Sequence, residues 1–177
     1  TTRRCEATGS PVVTDGGQRK YHNFWTYCAH GLPNLGPDGC RIPFAAGHER
    51  RMPRLKHGPF RYGHHADSYL EAAQRLTRLP VKQAVISPSA LSLLYPEAEL
   101  PGYSRDEFIH DLLREHETEV RSCLQKGAHK VQIDFTEGRL ALKLDPSGPP
   151  LQSFIDLTNI ALSRFSDEGR PRNGERP

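Results

Sequence analysis

The sequence has no apolar run close to the ~20 residues that a membrane-spanning helix needs, and its first ten residues lack the apolar centre of a signal peptide. It has only four cysteines, with no Cys-x-x-Cys pair and without the density of a disulfide scaffold. These features argue against a membrane partner and agree with a reducing compartment. We therefore expect a cytoplasmic protein.

An excess of charge of one sign is also absent, since 24 basic residues are nearly balanced by 21 acidic ones and the net charge is +3. The main basic clusters, residues 48–56 and 164–176, lie in stretches with Pro and Gly that are typical of solvated loops. A surface for nucleic acid would instead combine a basic patch with interleaved aromatic residues. The composition therefore predicts a globular protein with no nucleic-acid partner.

Three short apolar runs alternate with helical patterns along the chain. The predicted strands are residues 11–15, 81–86 and 130–134, and the predicted helices are residues 67–79, 104–126 and 147–165. Residues 21–63 are rich in Gly, Pro and aromatic residues, which indicates a structured insertion after the first strand, with a hairpin near residues 40–44. Strands that alternate with helices pair in parallel through right-handed crossovers, so the predicted fold class is α/β.

The helix at residues 104–126 carries the clearest local signals. Ser104 and Glu107 form the pattern of a capping box, and apolar residues then recur at helical spacing until a glycine. His116 and Cys123 fall on the apolar side of this helix, where we expect packed rather than catalytic side chains. Asp67 is predicted to cap the preceding helix.

All three predicted strands end in polar, turn-forming residues. The side chains of interest there are Asp15, Arg19, Ser87, Asp134 and Glu137. In a parallel α/β sheet these strand ends lie on one face, so residues from distant segments would converge on one pocket. Carboxylates would bind an ammonium group and Arg19 a carboxylate or phosphate, which predicts a polar small-molecule ligand. Any single residue of this set, Glu137 included, is equally compatible with a role in turning the chain.

Three blocks of sequence resemble a known family. Residues 14–19 (Thr-Asp-Gly-Gly-Gln-Arg), 81–88 (Val-Lys-Gln-Ala-Val-Ile-Ser-Pro) and 131–134 (Val-Gln-Ile-Asp) are similar to successive blocks of the catalytic barrel of cobalamin-independent methionine synthases. The resemblance implies a (β/α)8 TIM barrel, of which this chain holds about three βα units. Residues 1–172 would then be a partial barrel with the insertion at 21–63, and residues 173–177 a divergent tail.

The resemblance also implies a chemistry and roles for residues. In the family, zinc holds the thiol of homocysteine as a thiolate, which takes the methyl group of a methylated folate. Asp134 matches the aspartate that holds the ammonium group of the amino acid. Asp15 and Arg19 fall in the first substrate-contacting loop, and Tyr95 lies near the aromatic residue that stacks beside the folate. Gly17 stands where the relatives have a substrate-binding glutamate.

The zinc ligands of the family have no counterpart in this sequence, because the His-x-Cys pair of the next barrel strand is absent. The remaining candidates lack the spacing of a tetrahedral site, so we predict no metal ligand among Cys28, His30, His57, His64 and His65. The isolated chain is expected to be inactive in methyl transfer. Two alternatives stay open: a non-catalytic or split-barrel fragment completed by another chain or copy, and a related alkyl-thiol transferase with another substrate.

Overall fold

The structure is a computed structural model that describes residues 2–20, 23–43 and 47–165. Its strands are β1 (Leu35–Gly36), β2 (Arg41–Pro43), β3 (Glu49–Arg51), β4 (Arg54–Leu55), β5 (Lys82–Ile86) and β6 (Lys130–Asp134). Its helices are α1 (Thr2–Ala7), α2 (Asp67–Gln74), α3 (Pro88–Leu91), α4 (Arg105–Gln125), α5 (Glu137–Leu144) and α6 (Pro149–Ser163). The chain is thus a mixed α/β protein, as the sequence predicts. No helix in these described ranges is both long and apolar enough to cross a membrane.

The centre of the fold is a parallel pair of strands. β5 and β6 pair in register from Lys82 opposite Lys130 to Ile86 opposite Asp134. On the other side of β5, Val13 forms a parallel bridge with Val81, and its backbone exchanges hydrogen bonds with Pro80 and Lys82. The three predicted strands therefore lie side by side in chain order. The first is shorter than predicted, because the chain leaves the sheet after Val13.

Helices α2 and α4 cover one face of this pair. α4 begins at the predicted capping box, in which Ser104 Oγ accepts from Glu107 N at 3.2 Å and Glu107 Oε2 accepts from Ser104 N at 2.7 Å. It ends before Gly127, whose φ of +83° suits a residue without a side chain. His116 and Cys123 are both fully buried on the inner side of α4, which confirms that they are packed.

The predicted cap of α2 is wrong. Ala66 occupies the N-cap position and its side chain makes no capping hydrogen bond. The carboxylate of Asp67 instead reaches across to α4, where it accepts from Ser122 Oγ at 2.5 Å and pairs with Lys126 Nζ at 3.0 Å. A partner on a neighbouring helix thus replaces the local bond that the sequence pattern predicts.

The insertion is built into the core, although its sequence lacks periodicity. β1 pairs with β4 and β2 with β3, both antiparallel, which confirms the predicted hairpin for Arg41–Pro43; residue 44 lies outside the described residues. The basic cluster at residues 48–56 is not a solvated loop, because it forms β3 and β4 and buries Met52 and Leu55. Of the second basic cluster and the tail, residues 166–177 lie outside the described residues.

Carboxylates on one side of α4 hold the end of the insertion in place. Arg61 contacts Asp111 at 2.8 Å and Glu115 at 3.7 Å, and the backbone N–H of Ala66 donates to Glu119 at 2.8 Å. These acids recur every four residues and so share one side of the helix. The insertion is therefore attached to α4 by charge-assisted hydrogen bonds as well as by apolar packing.

The segment after β6 holds two helices where the sequence predicts one. α5 was not predicted, because its eight residues are too few for a clear periodic signal. α6 confirms the last predicted helix, but its apolar side is only partly covered in the described chain, where Ile155 and Leu162 expose 36% and 46% of their surface. The short N-terminal helix α1 was also not predicted.

Candidate functional site

The candidate site lies where the central strands end. Asp134 is the last residue of β6, and its backbone carbonyl accepts from Ser87 N, the first residue after β5, at 3.2 Å. The side chains of Lys82, Gln132 and Asp134 form a chain of hydrogen bonds, Lys82 Nζ to Gln132 Oε1 and Gln132 Nε2 to Asp134 Oδ1, each 2.6 Å. This chain runs along the sheet face opposite α4, and it orients the Asp134 carboxylate at the strand end.

Asp15 follows the first strand segment and is almost fully buried. Its Oδ1 accepts from Gly17 N at 2.8 Å, which closes the turn that the Asp-Gly-Gly sequence predicts. Its Oδ2 is buried and has no hydrogen-bond partner within the described residues. A buried carboxylate oxygen without a partner destabilises the fold, and in native proteins such groups concentrate at functional sites.

Lys20 is the cation of this region, and the sequence did not single it out. Only 6% of its surface is exposed, and its ammonium lies 4.4 Å from the centroid of the Tyr27 ring. Burial lowers the pKa of Lys20. The nearby carboxylates of Glu119, Asp134 and Asp15 raise it in part, with the largest effect from Glu119 and the smallest of the three from Asp15. Among the described residues no group accepts a hydrogen bond from Lys20 Nζ. A buried ammonium thus lies among three carboxylates without contacting any of them directly.

Glu119 of α4 is the buried acid next to this lysine. Its Oε1 accepts from Tyr27 Oη at 2.7 Å and from Ala66 N at 2.8 Å, whereas its Oε2 has no partner in the described chain. Burial raises the pKa of Glu119 to about 7, against the opposing effect of the bond from Tyr27. The Tyr27 hydroxyl also accepts from Ile86 N at 3.4 Å, and so takes the place beside β5 that the first strand vacates.

A third buried carboxylate, that of Glu137, joins the ends of β5 and β6. Glu137 Oε1 accepts from Ser87 Oγ at 2.6 Å and from Ser89 Oγ, and the Ser89 hydroxyl also meets Thr158 Oγ1 at 2.9 Å. Ser87 is the N-cap of α3 as well, since its Oγ accepts from Ala90 N at 3.2 Å. Burial raises the pKa of Glu137. Glu137 is thus more than a turn residue, because it links α3, α5 and α6 around the strand ends.

Two predicted site residues lie apart from this buried cluster. Arg19 is exposed beside the buried Lys20. Tyr95 is buried, with its hydroxyl donating to the carbonyl of Tyr103 at 2.8 Å and its ring 5.4 Å from that of Phe108. The structure therefore places Ser87 beside Asp134 at the ends of β5 and β6, and Asp15 on the other side of β5 near Lys20. A stacking role for Tyr95 stays a prediction.

A cavity of about 740 Å³ lies elsewhere, between residues 57–61, residues 101–103 and the start of α4. Its buried carboxylate, Asp111, is fully engaged: it accepts from Tyr103 Oη at 2.8 Å and pairs with Arg61 at 2.8 Å. Although burial opposes the change, these bonds lower the pKa of Asp111. A satisfied structural ion pair explains this region, so the strand ends remain the stronger candidate site.

The histidines and cysteines considered as metal ligands do not form a site. Within residues 2–20, 23–43 and 47–165 no group of three His, Cys, Asp or Glu side chains is arranged to hold a metal ion. Cys28 is fully buried, and burial raises the pKa of its thiol well above the usual value. A zinc ion binds the thiolate form of cysteine, and burial of Cys28 disfavours that form. The described chain therefore does not fit the zinc that the resemblance implies.

Sequence reasoning missed Lys20 and Glu119. Glu119 had a usable signal, because it lies three residues after His116 on the apolar side of α4, where a charged residue needs a buried partner. Lys20 had none, because a lysine that follows an arginine after a turn is typical of exposed sequence. Its burial depends on Tyr27 and on the covering insertion.

The comparisons with known proteins bear on the fold. No protein-family model matches the sequence, and no curated protein matches it. The structure is similar to the solved structure of a B12-independent methionine synthase from Shewanella sp. W3-18-1 in complex with selenomethionine, with a TM-score of 0.65 and 16% sequence identity. The match covers 93% of this chain and 46% of that chain. The chain thus shares its fold with just under half of that enzyme.

Proposed function

We propose that this chain is a partial (β/α)8 barrel of the cobalamin-independent methionine synthase type, and that its strand ends form part of a site for an amino acid with a thiol or thioether side chain. The observation that carries the proposal is that Ser87 and Asp134 lie side by side at the ends of two parallel strands, with the buried Lys20 near both Asp134 and Asp15. The similarity to a methionine synthase structure over 93% of the chain supports it.

The chemistry of the proposed role follows from the polar groups that converge at the strand ends. Asp134 offers a carboxylate already oriented by Gln132, which suits the ammonium group of an amino acid. The unpartnered oxygen of Asp15 provides a second acceptor on the other side of β5. Ser87 and Glu137 hold the ends of β5 and β6 together, which keeps Asp134 in a fixed position at the strand end.

The methyl transfer itself depends on groups that the described residues do not supply. Zinc, where a barrel of this type binds it, turns a thiol into a nucleophile at neutral pH. Because the described residues hold no such cluster, the contribution of this chain is to bind and orient the amino acid. We expect little methyl transfer from this chain alone with zinc, homocysteine and a methylated folate, and robust turnover would contradict the partial-barrel proposal.

Calorimetric titration of the 177-residue chain with L-methionine tests the binding role. The Asp134→Asn variant should bind at least ~10-fold more weakly, because a hydrogen bond to a charged group is replaced by a neutral one. Asp156→Asn is the matched control, since Asp156 is an exposed aspartate on α6 that bonds only locally to Gln152. Equal affinities of the wild type and Asp134→Asn, or no binding by the wild type, would contradict the proposal.

A second candidate function is that of a half-barrel that assembles with another chain or with a second copy. It is favoured by β6, which pairs with β5 alone in the described chain and leaves its other edge open. An open parallel edge is a ready site for another strand. Folding that depends sharply on protein concentration, measured by circular dichroism from ~0.1 to 50 μM, would support this role, whereas a concentration-independent transition of a monomer would argue against it.

A further inference from the structure

The buried ammonium of Lys20 calls for an explanation. Its Nζ can donate three hydrogen bonds, but no group among the described residues accepts one from it. The Tyr27 ring, 4.4 Å away, stabilises the charge but accepts no conventional hydrogen bond. A lysine that served only to neutralise a neighbouring acid would be expected to form a direct ion pair, and Lys20 forms none within 4.0 Å in the described chain.

The groups around Lys20 indicate what its partner would be. Asp15 and Asp134 lie near the ammonium, and Asp15 Oδ2 is itself buried without a partner in the part of the chain that the structure describes. Unused donors and an unused acceptor therefore occur together. A simple anion would be repelled by the carboxylates of Asp15 and Asp134 and by Glu119 when it is ionised, and a simple cation by the lysine. A zwitterion satisfies both kinds of group.

We infer that Lys20 receives the carboxylate of the ligand, so that the strand-end site selects a zwitterionic α-amino acid over its amine or its acid analogue. This inference rests on the proposed function, in which Asp134 receives the ammonium group. It assigns the carboxylate to Lys20 rather than to Arg19, which the sequence favoured. Arg19 lies exposed beside the turn, whereas Lys20 is buried among the strand-end carboxylates.

The turn next to Lys20 has a glycine at residue 17. Gly17 is partly exposed, and a Cβ atom placed on it would lie 3.7 Å from Cδ of Lys20. Because residue 17 is a glycine, it places no side chain against the aliphatic part of the Lys20 side chain. The long, flexible stem of a lysine then lets the ammonium move toward a ligand by rotation about its side-chain bonds.

Three probes separate the groups of the ligand: L-methionine, 3-(methylthio)propylamine, which lacks the carboxylate, and 4-(methylthio)butanoate, which lacks the amine. Calorimetry with the full 177-residue chain should show tightest binding of L-methionine. In Lys20→Met, which keeps the stem and removes the charge, the affinity for L-methionine should fall at least ~10-fold. The affinity for the amine should stay the same or rise. Lys20→Arg should restore part of the affinity for L-methionine.

Arg19→Met is the matched control and should bind L-methionine like the wild type. The inference is overturned if Lys20→Met binds L-methionine like the wild type, if it loses the amine and L-methionine equally, or if Arg19→Met is the variant that loses affinity. Circular dichroism confirms that each variant is folded, and Lys20→Arg keeps the test decisive if Lys20→Met does not fold. Binding of L-methionine that depends on Asp134 but not on Lys20 would leave the proposed function intact and refute this inference alone.

Discussion

Replacing Glu119 with glutamine should stabilise the protein at alkaline pH and leave it nearly unchanged near pH 4.5. Glutamine keeps a side-chain oxygen that accepts from Tyr27 Oη and Ala66 N, but it cannot ionise. In the wild type, burial raises the pKa of Glu119 from 4.5 to about 7. The folded protein therefore holds this proton over a pH range in which the unfolded chain has already lost it.

The magnitude follows from the size of this shift. The unfolded chain binds fewer protons at this group than the folded one between pH 4.5 and 7, so the free energy of unfolding falls as the pH rises. The rise in the pKa of Glu119 from 4.5 to about 7 corresponds to about 3 kcal/mol in all. This contribution of Glu119 to stability is fully present below pH 4.5, declines between pH 4.5 and 7, and is lost above pH 7.

Several other titratable groups face Glu119 and have to be considered in the comparison. They are Lys20, Tyr27, Cys28, Tyr62, Asp67 and Cys123. Burial raises the pKa of Tyr27, Cys28 and Tyr62 well above their usual values and that of Cys123 to about 12, so these groups stay neutral between pH 4.5 and 8. Lys20 carries a charge opposite to that of ionised Glu119 and lowers its pKa, so replacing it in Lys20→Met should raise the pKa of Glu119 further.

Urea unfolding followed by circular dichroism at pH 5, 6, 7 and 8, at one ionic strength, measures the effect. The difference in the free energy of unfolding between Glu119→Gln and the wild type should grow by about 2 to 3 kcal/mol in favour of the variant across this range. Glu117→Gln is the control, since Glu117 pairs with Arg121 and Arg164 near the surface. A Glu119→Gln difference that stays constant with pH, or that turns against the variant as the pH rises, would refute the reasoning.

Three further substitutions test other parts of the structure through urea unfolding at pH 7. Ser104→Ala should cost about 1 kcal/mol, because it removes the side-chain cap of α4; an unchanged midpoint would show that the cap is dispensable. Gly39→Ala should lower the free energy of unfolding by about 1 to 3 kcal/mol, because the new Cβ would clash with the backbone carbonyl oxygens of Met52 and Pro53. In the control Gly63→Ala the nearest atom to the new Cβ is 3.4 Å away, so equal effects of the two substitutions would contradict this contrast. Ser87→Ala should lower the free energy of unfolding by about 1 to 3 kcal/mol, because it removes both the cap of α3 and one donor to the buried Glu137. A smaller loss than that of Ser104→Ala would count against a stabilising link between the strand ends.

The sequence predicts the regular part of the fold because local patterns determine it. α4 has a capping box at Ser104 and a long apolar repeat that ends before Gly127, and the structure confirms both ends. β5 and β6 are short apolar runs between helices, and they pair in parallel as such runs do. The insertion was less predictable, since its buried aromatic residues, such as Tyr27 and Phe60, lie in irregular segments with no period to detect.

The candidate site was predictable only in part, for a related reason. Strand ends converge in any parallel α/β fold, so the positions of Ser87 and Asp134 follow from the order of strands, whereas Asp15 follows the point at which the chain leaves the sheet. Lys20 is buried because the irregular insertion places Tyr27 beneath its ammonium, and no local pattern encodes that contact. The same limit explains Asp67, where a partner on α4 replaces the predicted helix cap.

The buried charged groups near the strand ends lower the stability of the fold, and this unfavourable contribution suits groups that bind a ligand. Lys20, Glu119 and Asp15 are each buried with an atom that has no partner among the described residues, and apolar side chains of similar volume would fill the same space without that penalty. In native proteins, local departures from optimal stability are concentrated where a ligand is bound. Of these groups, Lys20 and Asp15 are the ones that a zwitterionic ligand would satisfy. Ligand binding should therefore stabilise the chain, and by a larger amount when Lys20 is present than when it is replaced.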